Sequence, residues 1–392
     1  MPVLKTDEEC CGCTACAAIC GHDAITMTQD ALGFLYPKVN YDKCIECKLC
    51  EKVCSFHENY DVDDNFKDPI PWGARLTDIS EVMKSRSGGA FVAFTNWILD
   101  KGGVVYGVGY KEHFRVSHKR AESKKERDEF RGSKYVQSDM TGILRNIRAD
   151  LQKGRKVLFS GTPCQTSAVR SFISKRLHGN LWLVDIVCHG TPSPNIWYDY
   201  LRYLEAKEKA RIVMVNFRDK IKYGWKAHKE TFVFDNNKVK NFDGFTYLFH
   251  QEIISRKSCG NCHFCNLHRP SDLTLADFWG WERTGTNIND DDKGLSLVLV
   301  NTEKGKELFN AVSNQLILVN SSLENSLQPR LERPSLLNPQ WISFKEDYIS
   351  NGFSYVFHKY GNVGWRYKLK SLKAYGKRLY SKILKTLKMI RG

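Results

Sequence analysis

Two runs of four cysteines near the amino terminus constrain this chain more than any other feature. The first run is Cys10-x-x-Cys13-x-x-Cys16-x-x-x-Cys20, and the same spacing recurs as Cys44-x-x-Cys47-x-x-Cys50-x-x-x-Cys54. Three thiolates two residues apart lie on one tight loop and bind three irons of a cubane, while the fourth thiolate, three residues further on, reaches a neighbouring cluster. The spacing therefore predicts two [4Fe–4S] clusters.

Each predicted cluster takes its fourth ligand from the other run. Cys10, Cys13, Cys16 and Cys54 form one set, and Cys44, Cys47, Cys50 and Cys20 form the other. Cys11 falls out of register, so we expect it to be a spectator. A pair of structural zinc sites is the alternative, although zinc ligands usually occur as two separated pairs. The pattern predicts an α+β, ferredoxin-like module with two clusters over residues 1–60.

The composition limits what the rest of the chain can be. Hydrophobic residues make up 42% of the chain and charged residues 26%, which is typical of a globular protein. We find no apolar stretch long enough to span a bilayer and no signal-peptide character at the start, so we expect a cytoplasmic protein. Reductants there keep thiols free, so the fourteen cysteines are not expected to form disulfides, and the clustering of twelve of them in three groups indicates metal binding.

The positive charge is concentrated at the carboxyl end. The formal net charge is +15, yet ten Lys or Arg and no Asp or Glu fall within residues 366–391. Nucleic acid is therefore not expected as a partner. Apolar residues recur among these cations at near-helical spacing, which predicts a basic amphipathic helix on an anionic membrane surface at the inner face of the membrane. A helix docked on the core is the alternative.

The middle of the chain alternates predicted strands and helices. Strands are expected at residues 104–110, 156–160 and 181–187, and helices at residues 89–100 and 165–173. This order predicts an α/β core with a mixed sheet, whose ligands gather at the ends of its strands. An acidic, proline-containing stretch predicts a linker at residues 61–80, followed by core regions at residues 81–180 and 181–355 and a tail at residues 356–392.

A third cysteine group lies far from the first two. Cys259, Cys262 and Cys265 lack a fourth cysteine nearby, and the remaining candidates are Cys164 and Cys188, each of which follows a predicted strand. A third [4Fe–4S] cluster built from distant loops is one interpretation. A zinc knuckle that uses His263 or His268 is the other.

Six short motifs follow the amino-terminal cysteines in a fixed order. They are Ser87-Gly-Gly89, Arg131-Gly-Ser-Lys-Tyr135, Phe159-Ser-Gly-Thr-Pro-Cys-Gln165, Val187-Cys-His-Gly-Thr-Pro-Ser193, Ser258-Cys-Gly-Asn-Cys262 and Asp272-Leu-Thr-Leu-Ala-Asp-Phe-Trp-Gly280. Together they resemble the coenzyme F420 hydrogenase/dehydrogenase beta-subunit family over roughly residues 1–300. The chain looks more like the bacterial members associated with polysaccharide synthesis than like the subunits of hydrogenase complexes.

The resemblance implies a flavoprotein that contains FAD and a core [4Fe–4S] cluster. Carried over by residue, the FAD contacts would be Ser87, Gly88, Gly89, Lys134, Tyr135, Ser160, Gly161, Thr162 and Gln165. The core-cluster candidates would be Cys164, Cys188, Cys259 and Cys262, whereas proximity along the chain favours Cys265 as well, so both sets stay open. In archaeal members the organic acceptor is coenzyme F420; for this chain, that coenzyme and another organic acceptor both stay open.

These features predict an oxidoreductase. A soluble ferredoxin-like or flavodoxin-like partner would exchange single electrons with the amino-terminal clusters, and FAD would exchange two electrons with an organic substrate. His189, beside Cys188, is the candidate proton donor, because histidine titrates near neutral pH. The alternative function is an electron-transfer subunit of a larger complex without a substrate of its own.

Overall fold

A mixed sheet of eight strands forms the centre of this protein. The computed structural model describes residues 4–5, 8–56 and 65–364. The strands are β1 (Ile25–Gln29), β2 (Leu35–Val39), β3 (Ile70–Leu76), β4 (Val104–Lys111), β5 (Arg115–Ala121), β6 (Val157–Gly161), β7 (Leu181–Ile186), β8 (Ile212–Asn216), β9 (Glu230–Phe234), β10 (Val239–Phe242), β11 (Leu273–Asp277), β12 (Ser296–Val300) and β13 (Leu316–Asn320).

Helices cover the central sheet and join its strands. They are α1 (Ala15–Ile19), α2 (Leu49–Lys52), α3 (Ile79–Lys84), α4 (Ala90–Asp100), α5 (Lys124–Arg127), α6 (Ile143–Gln152), α7 (Pro163–Phe172), α8 (Pro194–Glu208), α9 (Lys220–Tyr223), α10 (Gly244–His250), α11 (Glu303–Val312), α12 (Leu323–Ser326) and α13 (Trp341–Tyr360). Among the described residues, no helix has the length and apolar character needed to cross a membrane.

The strand order of the central sheet is β13-β3-β12-β11-β7-β6-β4-β5. The neighbours from β11 through β7 and β6 to β4 run parallel, and the outer pairs are antiparallel. Strands β7 and β12 are almost entirely buried, which explains their nearly continuous apolar sequences. The predicted α/β core with a mixed sheet is therefore confirmed.

The amino-terminal module is small and lies against this core. Strands β1 and β2 form an antiparallel hairpin, and the short helices α1 and α2 carry cysteines of the two runs. Ala15 and Val53 pack in the same hydrophobic cluster as Val157 and Leu181 of the central sheet. The module thus shares apolar contacts with the core.

The predicted linker of residues 61–80 was wrong in its extent. Residues 70–76 form β3, which lies between β12 and β13 inside the sheet, and α3 begins at Ile79. Proline in this stretch suggested a break, but Pro71 pairs only with Leu299 of β12, because the pairing with β13 stops at Trp72. Proline is tolerated where a strand has a neighbour on one side only.

Two other predicted boundaries fall inside continuous structure. Strands β6 and β7, on either side of residue 180, are adjacent parallel strands, and α13 continues past residue 355. The predicted basic amphipathic helix of the tail, residues 365–392, lies outside the described residues.

Candidate functional site

A cavity of about 360 Å³ opens at the carboxyl ends of the parallel strands. Its wall includes Gly161 at the end of β6, Ile186 at the end of β7 and Asp277 at the end of β11. The volume lies in the usual range for small-molecule and cofactor sites, and the position is where open α/β sheets bind ligands. The sheet topology therefore creates this site.

The structure places eight of the nine residues predicted to contact FAD around this one cavity. They are Ser87, Gly89, Lys134, Tyr135, Ser160, Gly161, Thr162 and Gln165. Gly88 is the exception, because its α-carbon packs against the sheet; a β-carbon there would lie 2.2 Å from the carbonyl oxygen of Ala74. Gly88 thus lets the loop approach β3, and its contact with a flavin stays a prediction.

The turn after β6 positions the side chains of one wall. Thr162 caps α7 in a capping box with Gln165, and Pro163 occupies the first turn of that helix. The Gln165 amide also donates a hydrogen bond of 2.9 Å to the hydroxyl of Ser138. This network fixes Gln165, and it holds Cys164 at the start of α7 beside the cavity.

Arginines on the cavity wall have unused hydrogen-bonding capacity. The side chains of Arg86 and Arg131 are only 11% and 8% exposed. Within the described part of the chain, Nε and Nη1 of both residues have no hydrogen-bond partner. Buried N–H donors without acceptors are costly, so these groups fit an anion that occupies the cavity.

Lys134 contributes a buried amine whose pKa lies close to neutral pH. Its Nζ donates hydrogen bonds to the carbonyl oxygens of Glu129 and Arg131, the latter at 3.1 Å. Burial lowers the pKa of Lys134 to about 7. The side chain can therefore gain or lose a proton near neutral pH.

Three histidines and a tryptophan also line the cavity. His189, His228, His250 and Trp279 all line it, and the ring centroids of His228 and His250 lie 5.7 Å apart. Burial lowers the pKa of His189 to about 4 and that of His228 to about 4. These rings are neutral at pH 7, so they can hydrogen-bond a ligand; the proton-donor role of His189 stays a prediction.

Five thiols of the core lie together beside the cavity. Burial raises the pKa of the Cys188 thiol well above its usual value. Cys259, Cys164 and Cys262 lie close enough to raise it further. Cys265 contacts Cys262 and also lies near Cys188. The five thiols come from three separate segments, and this donor set fits a [4Fe–4S] cluster. The structure keeps both candidate ligand sets open.

The first predicted set of amino-terminal ligands also comes together. Burial raises the pKa of the Cys16 thiol strongly, and Cys13, Cys10 and Cys54 lie close enough to raise it further. In the second set, Cys47 lies near Cys50 and is itself exposed. Both cluster assignments stay predictions.

Cys11 is not an isolated side chain. It is 7% exposed, and its thiol lies beside those of Cys13 of the amino-terminal module and Cys164 of the core. Phe56 and Phe264 complete this buried contact. The sequence spacing excluded Cys11 as a ligand and gave no sign that it lies between two predicted clusters.

The thiol groups are not arranged around single metal ions. In residues 4–5, 8–56 and 65–364, no three His, Cys, Asp or Glu side chains converge as they would around one ion. The thiolates of a cubane surround four irons and therefore lie further apart than the ligands of one ion.

Several site residues could not be identified from the sequence. Arg218, His228 and His250 lie in no motif, and only the fold brings them to the cavity. Arg86 directly precedes the Ser87-Gly-Gly89 motif and Arg131 begins the next motif, so their charge beside glycine-containing turns was a usable signal.

Two stretches of the chain match known protein families. Residues 154–325 match the family model for the C terminus of the beta subunit of coenzyme F420 hydrogenase/dehydrogenase, and residues 37–57 match that of the 4Fe-4S binding domain. No curated protein matches the chain. A chain of the F420-reducing [NiFe] hydrogenase complex from Methanosarcina barkeri, studied with xenon, is similar at 16% identity and a TM-score of 0.47, covering 71% of this chain and 99% of that one.

The match to the 4Fe-4S binding domain covers the second cysteine run and supports iron–sulfur clusters over the zinc alternative there. The chain therefore carries an iron–sulfur module joined to a carboxyl-terminal domain of the coenzyme F420 hydrogenase/dehydrogenase beta-subunit family, and is an electron-transfer protein related to those beta subunits.

Proposed function

We propose that this chain is an iron–sulfur flavoprotein oxidoreductase that transfers electrons between a soluble one-electron carrier and an organic substrate. The proposal rests chiefly on one observation. Eight of the nine residues predicted to contact FAD line a single cavity, and the core thiols lie at its edge through Cys164, which neighbours the cavity residues Thr162 and Gln165.

The contact between the module and the core supports a continuous electron path. Cys11 joins Cys13 to Cys164 through thiol contacts, so the first amino-terminal ligand set lies directly against the core set. When bound, the clusters would pass single electrons and FAD would exchange them in pairs with the substrate. The chain's own residues would keep the first amino-terminal cluster and the core cluster close together.

The second cysteine run is the proposed entry point for electrons. Cys47 is exposed, and Tyr41, Ile45 and Leu49 beside it are exposed by 55%, 61% and 45%. Exposed apolar side chains around a redox centre suit the small, transient interfaces of electron-carrier proteins. A ferredoxin-like or flavodoxin-like carrier would dock here.

The cavity residues support an anionic cofactor with a pyrophosphate group. Arg86 and Arg131 would donate hydrogen bonds to its oxygens, and the loop of residues 85–89 would approach it closely. Arg218 and the three histidines of the cavity would hold the organic substrate. Neutral His228 and His250 donate and accept hydrogen bonds there without adding charge.

The sequence indicates a chemical class for the organic substrate. The resemblance to polysaccharide-associated members and the basic tail support a lipid-linked glycan intermediate at the inner face of the membrane, with FAD rather than coenzyme F420 as the resident flavin. The tail lies outside the described residues, so this step rests on its sequence alone.

Anaerobic purification tests the proposal directly. We expect brown protein with about twelve irons per chain, four for each of three clusters, and a flavin absorption spectrum. Turnover of an organic acceptor by the chain alone would support a self-contained reductase. Protein that holds iron and flavin yet acts only with a co-purified partner would instead support the subunit function, and colourless or zinc-containing protein would refute both.

A further inference from the structure

The buried cation Arg256 connects the core to the amino-terminal module. Its side chain is 1% exposed, and its guanidinium donates three hydrogen bonds. Nε donates to the carbonyl oxygen of Cys10 at 2.7 Å, Nη2 to that of Leu35 at 2.8 Å, and Nη1 to the amide oxygen of Gln137 at 2.9 Å. Arg256 thus lies three residues before Cys259 in the core and contacts the first cysteine of the module.

The surroundings fix the guanidinium in this position. It lies over the ring of Tyr36, 4.2 Å from the ring centroid, and Gln137 in turn donates a hydrogen bond of 2.7 Å to the carbonyl oxygen of Cys11. Gly12 has a φ of +68°, and a β-carbon there would lie 2.8 Å from Nη1 of Arg256. The loop that carries Cys10 and Cys13 therefore packs directly against the guanidinium, with no room for a side chain at residue 12.

Within the described residues, no carboxylate pairs with this charge. All three acceptors are neutral, and no Asp or Glu in the described ranges forms an ion pair with Arg256. Arg269 is buried to the same extent but pairs with Asp185 at 3.0 Å. A buried charge without a counter-charge is strongly unfavourable, so Arg256 needs a negative group that the protein side chains do not supply as carboxylate.

Cysteine sulfurs, which become anionic when they bind iron, lie beside this charge. The positive charge of Arg256 acts on the sulfurs of Cys10, Cys13 and Cys164. Arg256 therefore lies between the first amino-terminal ligand set and the core ligand set.

We propose that Arg256 is the positioning residue that supplies the counter-charge for the cluster bound by Cys10, Cys13, Cys16 and Cys54 and raises its reduction potential; this inference rests on the proposed function. Reduction of the cluster adds one electron and no proton, so its negative charge increases by one. A fixed positive charge in a low-dielectric surrounding stabilises the reduced form more than the oxidised form.

The experiment compares two substitutions in the full, anaerobically prepared chain. Arg256→Lys keeps the charge but loses the planar fork, and Arg256→Gln keeps hydrogen-bond donors but loses the charge. Arg127→Met is the matched control, because Arg127 is also 1% exposed but bonds to Val92 and Asn96, away from the cysteines. Redox titration followed by electron paramagnetic resonance measures the potential of each cluster, and iron analysis measures occupancy.

We expect Arg256→Gln to lower the reduced-to-oxidised ratio of one cluster at least tenfold at a fixed potential, equivalent to about 59 mV for one electron, while Arg256→Lys and Arg127→Met stay near wild type. Loss of iron from the Gln variant with retention in the Lys variant would support the same conclusion. A Gln variant with the wild-type potential, or a Lys variant that behaves like the Gln variant, overturns the inference. Wild-type protein without clusters would instead refute the proposed function.

Discussion

The carboxylate of Asp277 accepts a hydrogen bond of 2.7 Å from Nη1 of Arg218 at the carboxyl end of β11. The same carboxylate lies 3.7 Å from Nη2 of Arg86, whose Nη2 donates instead to the carbonyl oxygen of Trp225. Asp277 thus neutralises Arg218 more closely than Arg86. The charge of Arg86 remains available to a bound anion.

Arg86→Gln is therefore expected to weaken FAD binding. Hydrogen bonds to charged groups contribute about 1.5–3 kcal/mol, so the dissociation constant should rise roughly ten- to hundredfold. Titration of flavin-free protein with FAD measures it, and ADP serves as a probe of pyrophosphate recognition alone. The control is Arg202→Gln, because the Arg202 side chain is 79% exposed. Equal affinities in the two variants would contradict the assignment of Arg86.

Single cysteine substitutions should separate ligands from neighbours. Cys188→Ser is expected to lower the iron content by about four per chain, because one cubane holds four irons. Cys11→Ser should leave the iron content unchanged, since Cys11 lies outside the ligand spacing although it contacts Cys13 and Cys164. Parallel iron analysis of Cys262→Ser and Cys265→Ser then shows which of the two is a ligand; loss of iron from the Cys11 variant would revise the spacing argument.

Lys134 should make the stability of the flavin-free protein depend on pH. Its pKa is about 7 in the folded chain, against 10.5 for the ordinary side chain, so between these values the unfolded chain binds more protons. The free energy of unfolding therefore rises with pH across this window, by up to about 1.4 kcal/mol per pH unit for this group. Denaturant titrations from pH 7.5 to 10 should show a smaller rise for Lys134→Met.

The comparison for that prediction is Lys84→Met, whose side chain is 61% exposed in the wild type. It should retain the wild-type pH slope. If the Lys134→Met variant had the same pH slope as the wild type, the Lys134 amine would have to stay protonated in the folded wild-type chain.

Electron entry at the second cysteine run predicts a carrier-specific defect. Ile45→Glu should slow reduction by a ferredoxin-like or flavodoxin-like protein about tenfold, because a charge would replace an apolar contact. Reduction by dithionite should be unaffected, since a small reductant needs no docking surface. Ile342→Glu on α13, where the side chain is 63% exposed, is the control. Equal carrier rates in the two variants would place the entry point elsewhere.

Removal of the residues after Tyr360 tests the membrane prediction. The deleted segment holds ten clustered cations, so binding of the full chain to anionic liposomes should fall several-fold on deletion and should weaken with salt. Co-sedimentation with anionic and neutral liposomes measures this. Unchanged binding to anionic liposomes after the deletion would refute the idea.

The sequence predicted most of the central elements because their local signals agree with the fold. The predicted strand at residues 156–160 corresponds to β6, and the predicted helix at residues 89–100 corresponds to α4, since apolar runs and glycine turns mark both. Strand β3 was missed because its environment depends on a partner more than two hundred residues away, Leu299. No local sequence pattern indicates a pairing partner so far along the chain.

The site was predictable where chemistry is encoded in short motifs. Thr162 and Gln165 lie in a motif that the sequence analysis identified, and the cysteine spacing predicted the first ligand set, whose members lie together. Arg256, His228 and His250 carry no such spacing. Their roles depend on which segments pack together, and that is decided by tertiary contacts.

The position of β3 also determines when this protein can mature. Because β3 lies between β12 and β13, the first long strand of the core completes its pairing only after Asn320 has been synthesised. The cavity lies at the ends of β6, β7 and β11 of the same sheet, so the site is expected to form only with the completed sheet. Cofactor insertion into the core is thus expected to follow the synthesis of nearly the whole chain.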